Sequence, residues 1–168
     1  MTVLVTGGAG FIGSNLVRVL AAGGVRARVL DDFSTGLASN LDGLDAEVMA
    51  GSITEPATVR AAMDGASAVV HLAARGSVPR SVSDPVGAHD TNDTGTLNVL
   101  EAARAAGAHV VFASSSSVYG VNLALPKREE MWTQPMSPYG ANKLAAESLV
   151  MAYREVYGME ALALRFFN

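Results

Sequence analysis

The chain alternates short apolar runs with longer stretches of helical period, and this constrains its fold more than any other feature. Val3-Leu4-Val5, Ala27-Arg28-Val29-Leu30, Ala46-Glu47-Val48-Met49, Ala68-Val69-Val70-His71-Leu72 and His109-Val110-Val111-Phe112 read as strands, with a sixth over Glu160–Phe166. Several are apolar at successive positions, as strands buried on both faces of a parallel sheet must be. Ile12, Leu16, Val19 and Leu20 form a helical stripe ending near Gly23-Gly24. Thr54 is placed to cap a helix with Pro56 in its first turn; Asp84-Pro85 opens a long one to Ala106, stopped by Gly107; Ser137-Pro138 opens another, closed by Gly158. Each has the residue chemistry of a helix terminus. Alternation of this kind implies right-handed crossovers and an α/β, doubly wound parallel sheet with helices on both faces. Val121–Gln134 reads as a surface loop.

A chain of 168 residues suits one domain, here 1–168, able to bury a core without staples. Apolar residues make up 49% and charged residues 17%, an ordinary globular balance. A net charge of −4 gives no electrostatic reason for nucleic acid or an anionic membrane as partner. The absence of cysteine excludes disulfides, thiolate metal sites and cysteine nucleophiles, and no metal site is expected. The N-terminus lacks the pattern of a signal peptide, and no apolar stretch approaches the ~18 residues of a membrane span, so the expected location is cytoplasmic.

Thr6-Gly7-Gly8-Ala9-Gly10-Phe11-Ile12-Gly13 follows the first strand and opens the first helix. Gly8, Gly10 and Gly13 fit one glycine spacing of a phosphate loop, and Gly7, Gly10 and Gly13 fit the overlapping one. Early glycines let the backbone approach a pyrophosphate; the last packs helix against strand and aims its amides at the phosphate. A carboxylate at the end of the second strand, Asp31, stands where it accepts hydrogen bonds from ribose hydroxyls and repels a 2′-phosphate. Asp32 is left to the turn. Together these features define a Rossmann-type site that favours NAD over NADP.

Tyr139 and Lys143 lie four apart at the start of a helix and so share a face. A lysine charge ~5 Å from the phenol, at an effective dielectric of ~20, is worth roughly 3 kcal/mol, or about two pKa units. The helix N-terminus acts in the same sense. The expectation is a depressed phenol able to take a hydroxyl proton while hydride leaves the same carbon. Ser114-Ser115-Ser116-Ser117 follows the fifth strand, at the carboxyl edge where ligands bind, and a hydroxyl there can stabilise a reacting oxygen. His71 lies within a buried strand pattern and reads as core.

These segments, with Leu30–Gly36, Val70–Ala74, Ser77-Val78-Pro79-Arg80-Ser81, Asn92 with Gly95-Thr96, Ser137-Pro138-Tyr139-Gly140 and Leu164–Asn168, resemble the extended short-chain dehydrogenase/reductases. Within these the chain is similar to the NAD-dependent epimerase/dehydratase branch, above all its UDP-sugar 4-epimerases. The resemblance implies Tyr139 as base, Lys143 as the residue that tunes it and holds the nicotinamide ribose, and Ser115 as the catalytic hydroxyl. It implies cofactor contacts from Gly7, Gly10, Phe11, Ile12, Gly13, Asp31, Asp32, Ser34, Thr35 and Gly36. Further contacts are implied for Ser52, Ile53, Leu72, Ala73, Ala74, Asn92, Ser114 and Phe167. Ser77, Ser115, Ser117, Tyr139 and Asn168 would meet the UDP-sugar. The reaction implied oxidises C4 of the sugar transiently and returns hydride to its other face. A homodimer through the helices Pro85–Ala106 and Pro138–Tyr157 is also implied.

The family's aspartate after the third strand, which contacts the adenine amine, is replaced here by Ser52 after Gly51. The family's nucleotide-sugar subdomain would follow Asn168 and is absent from the 168 residues. Two other readings follow. One is a non-catalytic NAD-binding module or truncated remnant. The other is a related dehydratase, decarboxylase or reductase, with a 4,6-dehydratase disfavoured because Ser116 and Ser117 stand where that branch carries acids.

Overall fold

The computed structural model describes residues 1–167. Six parallel strands, β1 (Thr2–Thr6), β2 (Arg26–Asp31), β3 (Ala46–Ala50), β4 (Ala68–His71), β5 (His109–Ser115) and β6 (Ala161–Phe166), form one sheet in the order β3-β2-β1-β4-β5-β6. The order reverses direction between β1 and β4, so their carboxyl ends diverge and leave a crevice there. The helices are α1 (Phe11–Ala22), α2 (Pro56–Met63), α3 (Val78–Ser83), α4 (Pro85–His89), α5 (Gly95–Ala106) and α6 (Pro138–Tyr157).

Successive residues of one strand feed two separate cores. Leu4, Leu30, Val69, Val110 and Phe112 point to the face covered by α2, α5 and α6, where Val59, Met63, Val99, Leu100 and Val150 meet them. Val3, Val5 and Val29 point the other way, onto Val17 of α1. The expectation of a sheet buried on both faces therefore holds at its centre. It fails toward β6, where Leu162, Leu164 and Phe166 are 52, 38 and 38% exposed, because α1 covers only the β1–β2 half of its face.

Two helix expectations are corrected. Thr54 does not cap α2: its Oγ1 is 2.8 Å from Ser52 Oγ, and the N-cap residue is Glu55, whose side chain makes no cap bond. The long helix expected over Pro85–Ala106 keeps helical dihedrals throughout but passes through a π segment at Asp90–Thr94. A π turn inserts a residue into the helical ladder, which turns Asn92 and Asp93 inward beside α6. The separate helix α3, capped by the Ser77 hydroxyl accepting from Arg80 N–H, is an addition.

His71 is buried, as expected of a core residue, and has two hydroxyl partners. Its Nδ1 is 2.7 Å from Thr6 Oγ1 and its Nε2 is 3.0 Å from Thr96 Oγ1. Thr96 donates its proton to the Asn92 carbonyl at 2.6 Å, so it must accept from Nε2–H. Thr6 accepts from Ala73 N–H and donates to Nδ1. One neutral tautomer satisfies every group, linking β1, β4 and the π-bearing helix. Burial, with a contribution from the Lys143 charge, lowers the His71 pKa to about 3. The folded state thus refuses a proton that the unfolded chain takes up below 6.5. Stability is complete above that pH and falls as the pH drops toward about 3. We expect denaturant titrations to show a loss of about 1.4 kcal/mol per pH unit once the pH is well below 6.5. His71→Gln should remove that component, and a wild-type stability that stays flat from pH 7 to 5 would contradict the assignment.

Candidate functional site

The site begins where β1 gives way to α1. Gly7 has φ +71°, and a Cβ there would lie 2.7 Å from Ala73 N, so only glycine lets the two loop backbones meet. A Cβ on Gly13 would run into the Gly7 carbonyl, and this fixes how closely α1 sits on the loop. Of the two glycine spacings, Gly7-Gly10-Gly13 is thus the one that forms the turn. Gly8 instead makes room for the Val29 side chain behind it. Gly10 is the N-cap of α1 and has no side chain to fill the cap, so the first-turn amides have no side-chain acceptor. A phosphate fits that cradle.

Both carboxylates at the end of β2 serve the turn. Asp31 accepts from Ala9 N–H and Phe33 N–H, each at 2.8 Å, binding the phosphate loop to the β2 turn. Asp32 Oδ1 accepts from the amide and hydroxyl of Ser34 at 2.9 and 2.6 Å. The division expected from sequence, one acid for a ligand and one for the turn, is thus blurred. Both still line the groove, together with Ser34, Thr35, Gly36, Ile53, Leu72, Ala73 and Ala74.

A second lobe shares Gly7, Gly10, Leu72 and Ala74 with the first and runs to the end of β5. Phe11, Ile12, Gly13, Ser77, Ser114, Ser115, Ser117, Tyr139, Lys143 and Phe167 border it. Two sequence expectations, Ser52 and Asn92, fall elsewhere. Ser52 does not line the groove, and its hydroxyl is held by Thr54. Asn92 is buried behind it, where its Oδ1 accepts from Arg75 N–H at 2.8 Å and so sets the loop after β4. Asn168 lies outside the described residues. Sequence reasoning missed Arg75 and Thr91, which line the first lobe, and Glu147 and Arg165, described below. The signal for Glu147 was its place one turn beyond Lys143.

Tyr139 and Lys143 share the inward face of α6, whose start is capped by the Ser137 hydroxyl accepting from Gly140 N–H. Tyr139 N–H is also fixed, by Ser81 Oγ at 3.0 Å. Lys143 is 3% exposed; its Nζ donates to the Ala113 carbonyl at 2.8 Å and lies 4.8 Å from the Phe112 ring centre. Burial lowers its pKa to about 8, against the buried Asp93 carboxylate, which supports the charge. Tyr139 departs from expectation. Burial raises its pKa, and the Ser115 hydroxyl offsets only part of that. The lysine charge is directed at the β5 carbonyl, so the protein's own groups hold a protonated phenol at neutral pH.

Behind the serines, Glu147 accepts from Ser114 Oγ at 2.5 Å and from Arg165 Nη2 at 2.7 Å. Arg165 also donates to Tyr119 Oη at 2.9 Å and to the Glu129 carbonyl at 3.1 Å. The ion pair is 17% and 12% exposed, so it binds β5, β6, α6 and the 121–134 loop with little solvent screening. Glu147→Ala should cost about 3 kcal/mol by stranding Arg165. Arg165→Met added to it should restore at least about 1 kcal/mol in urea unfolding, and additive losses would show that the pair carries no coupling.

A groove across a topological switch point, a glycine-rich loop at a helix N-terminus and a serine, tyrosine and lysine at its far end define a dinucleotide-dependent short-chain dehydrogenase type of site. The comparisons agree. The sequence matches the NAD dependent epimerase/dehydratase family over residues 3–168, and the chain belongs to that family. It is 42% identical over 167 residues to a UDP-glucose 4-epimerase of Mycolicibacterium smegmatis, covering 95% of this chain and 53% of that protein. A UDP-glucuronic acid decarboxylase 1 of Xenopus tropicalis is 34% identical over 175 residues, covering 99% of this chain and 40% of that protein. The crystal structure of a Brucella ovis UDP-glucose 4-epimerase in complex with NAD superposes with a TM-score of 0.94 at 39% identity, covering 99% of this chain and 52% of that one. The chain spans about half the length of the curated relatives it matches.

Proposed function

We propose that this chain is the NAD-binding part of a UDP-sugar 4-epimerase, a single cofactor domain over 1–168. The observation that carries this reading is the convergence of the Gly7–Gly13 cradle with Ser115, Ser117, Tyr139 and Lys143 on one continuous cleft. Bound NAD would accept hydride from the sugar C4 and bring a cationic ring to the cleft. The α1 amides would hold its diphosphate, Asp31 and Asp32 its adenosine ribose, and Lys143 its nicotinamide ribose.

The raised phenol gives Tyr139 a defined part. With its proton on, it donates to a C4 oxygen; with a second positive charge beside it, it becomes able to take the C4 hydroxyl proton. Ser115 would hydrogen-bond the same oxygen, with Ser117 and Ser77 toward the sugar. A second copy of the chain could pack on Val86 of α4 and Met151 of α6, both exposed apolar residues. Among the described residues, no helix is long and apolar enough to cross a membrane. A cytoplasmic location suits ligands that are charged nucleotides.

The relatives named as UDP-glucuronic acid decarboxylases favour one rival within the family. A second rival, from a different class, is a binding module without turnover. Calorimetric titration of the 168-residue chain separates the cofactor claim from the rest. We expect saturable binding of NAD, at least about tenfold weaker for NADP, because two carboxylates border the ribose position. Equal affinity would refute the role given to Asp31 and Asp32. With UDP-sugars added, exchange of C4 configuration that is lost in Tyr139→Phe would support turnover, and carbon dioxide release from UDP-glucuronate would favour the decarboxylase.

A further inference from the structure

The π segment carries a carboxylate into the interior. Asp93 Oδ1 is buried there with no protein hydrogen-bond partner, in a segment that packs against α6. Burying a carboxylate with one oxygen unbonded is costly unless something draws on its charge. The other oxygen is gripped from outside. Asp93 Oδ2 lies 2.7 Å from Nδ1 of His89, one turn back on the same helix, and the His89 side chain is 60% exposed.

Lys143 of α6 has the complementary need. An ammonium has three N–H donors, and one is placed on the Ala113 carbonyl. That carbonyl accepts from a neutral amine as readily, so it does little to keep the third proton on the nitrogen. The Phe112 face favours a cation, though less than an opposite charge does. A nearby carboxylate separates the two forms by about ten- to a thousandfold in the proton equilibrium. The groups acting on Asp93 are His89 from its own helix and Lys143 from α6. Those around Lys143 are Asp93, the neutral His71 of β4 and the protonated phenol of Tyr139 on α6.

We propose that Asp93 is a positioning residue of this site: steadied by His89, its carboxylate is the counter-charge that lets the lysine beside Tyr139 remain an ammonium when buried. It acts across space and not by a bond, since Oδ1 has no protein donor. Its part in catalysis rests on the reading proposed above; the charge relation does not.

The chain contains two lysines, so an NMR titration of protein labelled at lysine Cε and Nζ gives two signals, with Lys127 as internal reference. Lys143 should titrate with a midpoint of about 8 in the unaltered chain. Asp93→Asn keeps the shape and a partner for His89. It should lower the midpoint by about one pH unit, a tenfold change, and leave Lys127 in place. In the reciprocal variant, Lys143→Met, the Asp93 carboxyl carbon should titrate at least about half a unit higher, and this arm decides the matter if Asp93→Asn does not fold. A fall smaller than about half a unit in folded Asp93→Asn, or an unmoved Asp93 in Lys143→Met, would overturn the inference. Calorimetric titration of the same samples with NAD reports separately: no binding by the unaltered chain, with the midpoint shift intact, would strike the cofactor reading alone.

Discussion

The fold depends on a close meeting of backbones at the carboxyl end of β1. Gly7 abuts the Ala73 backbone, and Gly13 sits against the Gly7 carbonyl, at separations no other residue permits. Directly beneath, Thr6 takes the Ala73 amide and hands its own proton to His71. The loop that faces the ligand is therefore continuous with a buried polar chain through Thr96 to Asn92, which in turn holds the Arg75 amide. Such a chain helps only when every member is satisfied, and here one tautomer satisfies all of them. The phosphate cradle is held from below, not merely bounded by flexible glycines.

The far end of the cleft works by a different balance. Lys143 is held almost out of water, where desolvation works against its charge, while a carbonyl, an aromatic face and the Asp93 carboxylate work for it. Tyr139 is less deeply placed and also loses acidity to burial. The protein thus prepares a charged lysine and a neutral phenol side by side. A ligand's charge can then shift the phenol without moving either side chain, which is how a fixed site changes its chemistry on binding.

Much of this was legible in the sequence because it depends on backbone geometry. The runs at Val3–Val5 and Ala68–Leu72 read as buried strands, and Gly7, Gly10 and Gly13, standing between a strand and a helical stripe, as a tight turn before a helix. Tyr139 and Lys143 share a face by spacing alone. What escaped depends on which way a side chain turns. The inward rotation at Asn92 comes from a π segment that helical periodicity does not announce. Arg165 reads as one polar residue in an apolar strand until Glu147, 18 positions away, closes on it. Spacing placed Lys143 beside Tyr139 but could not say that its ammonium would turn to the Ala113 carbonyl, nor that burial would shift the phenol upward.

The two borders of the sheet are unlike. β3 ends it on the side of the groove bordered by Asp31 and Asp32, whereas β6 ends it with Leu162, Leu164 and Phe166 bare on one face and Arg165 tucked into the other. An open strand edge with apolar side chains invites company. Arg165 reaches through Glu147 to Ser114 within the cleft, and Phe166 borders the same cleft. The bare apolar face of β6 and the serine end of the cleft are thus joined through the Arg165–Glu147 ion pair, which both sides of the strand share.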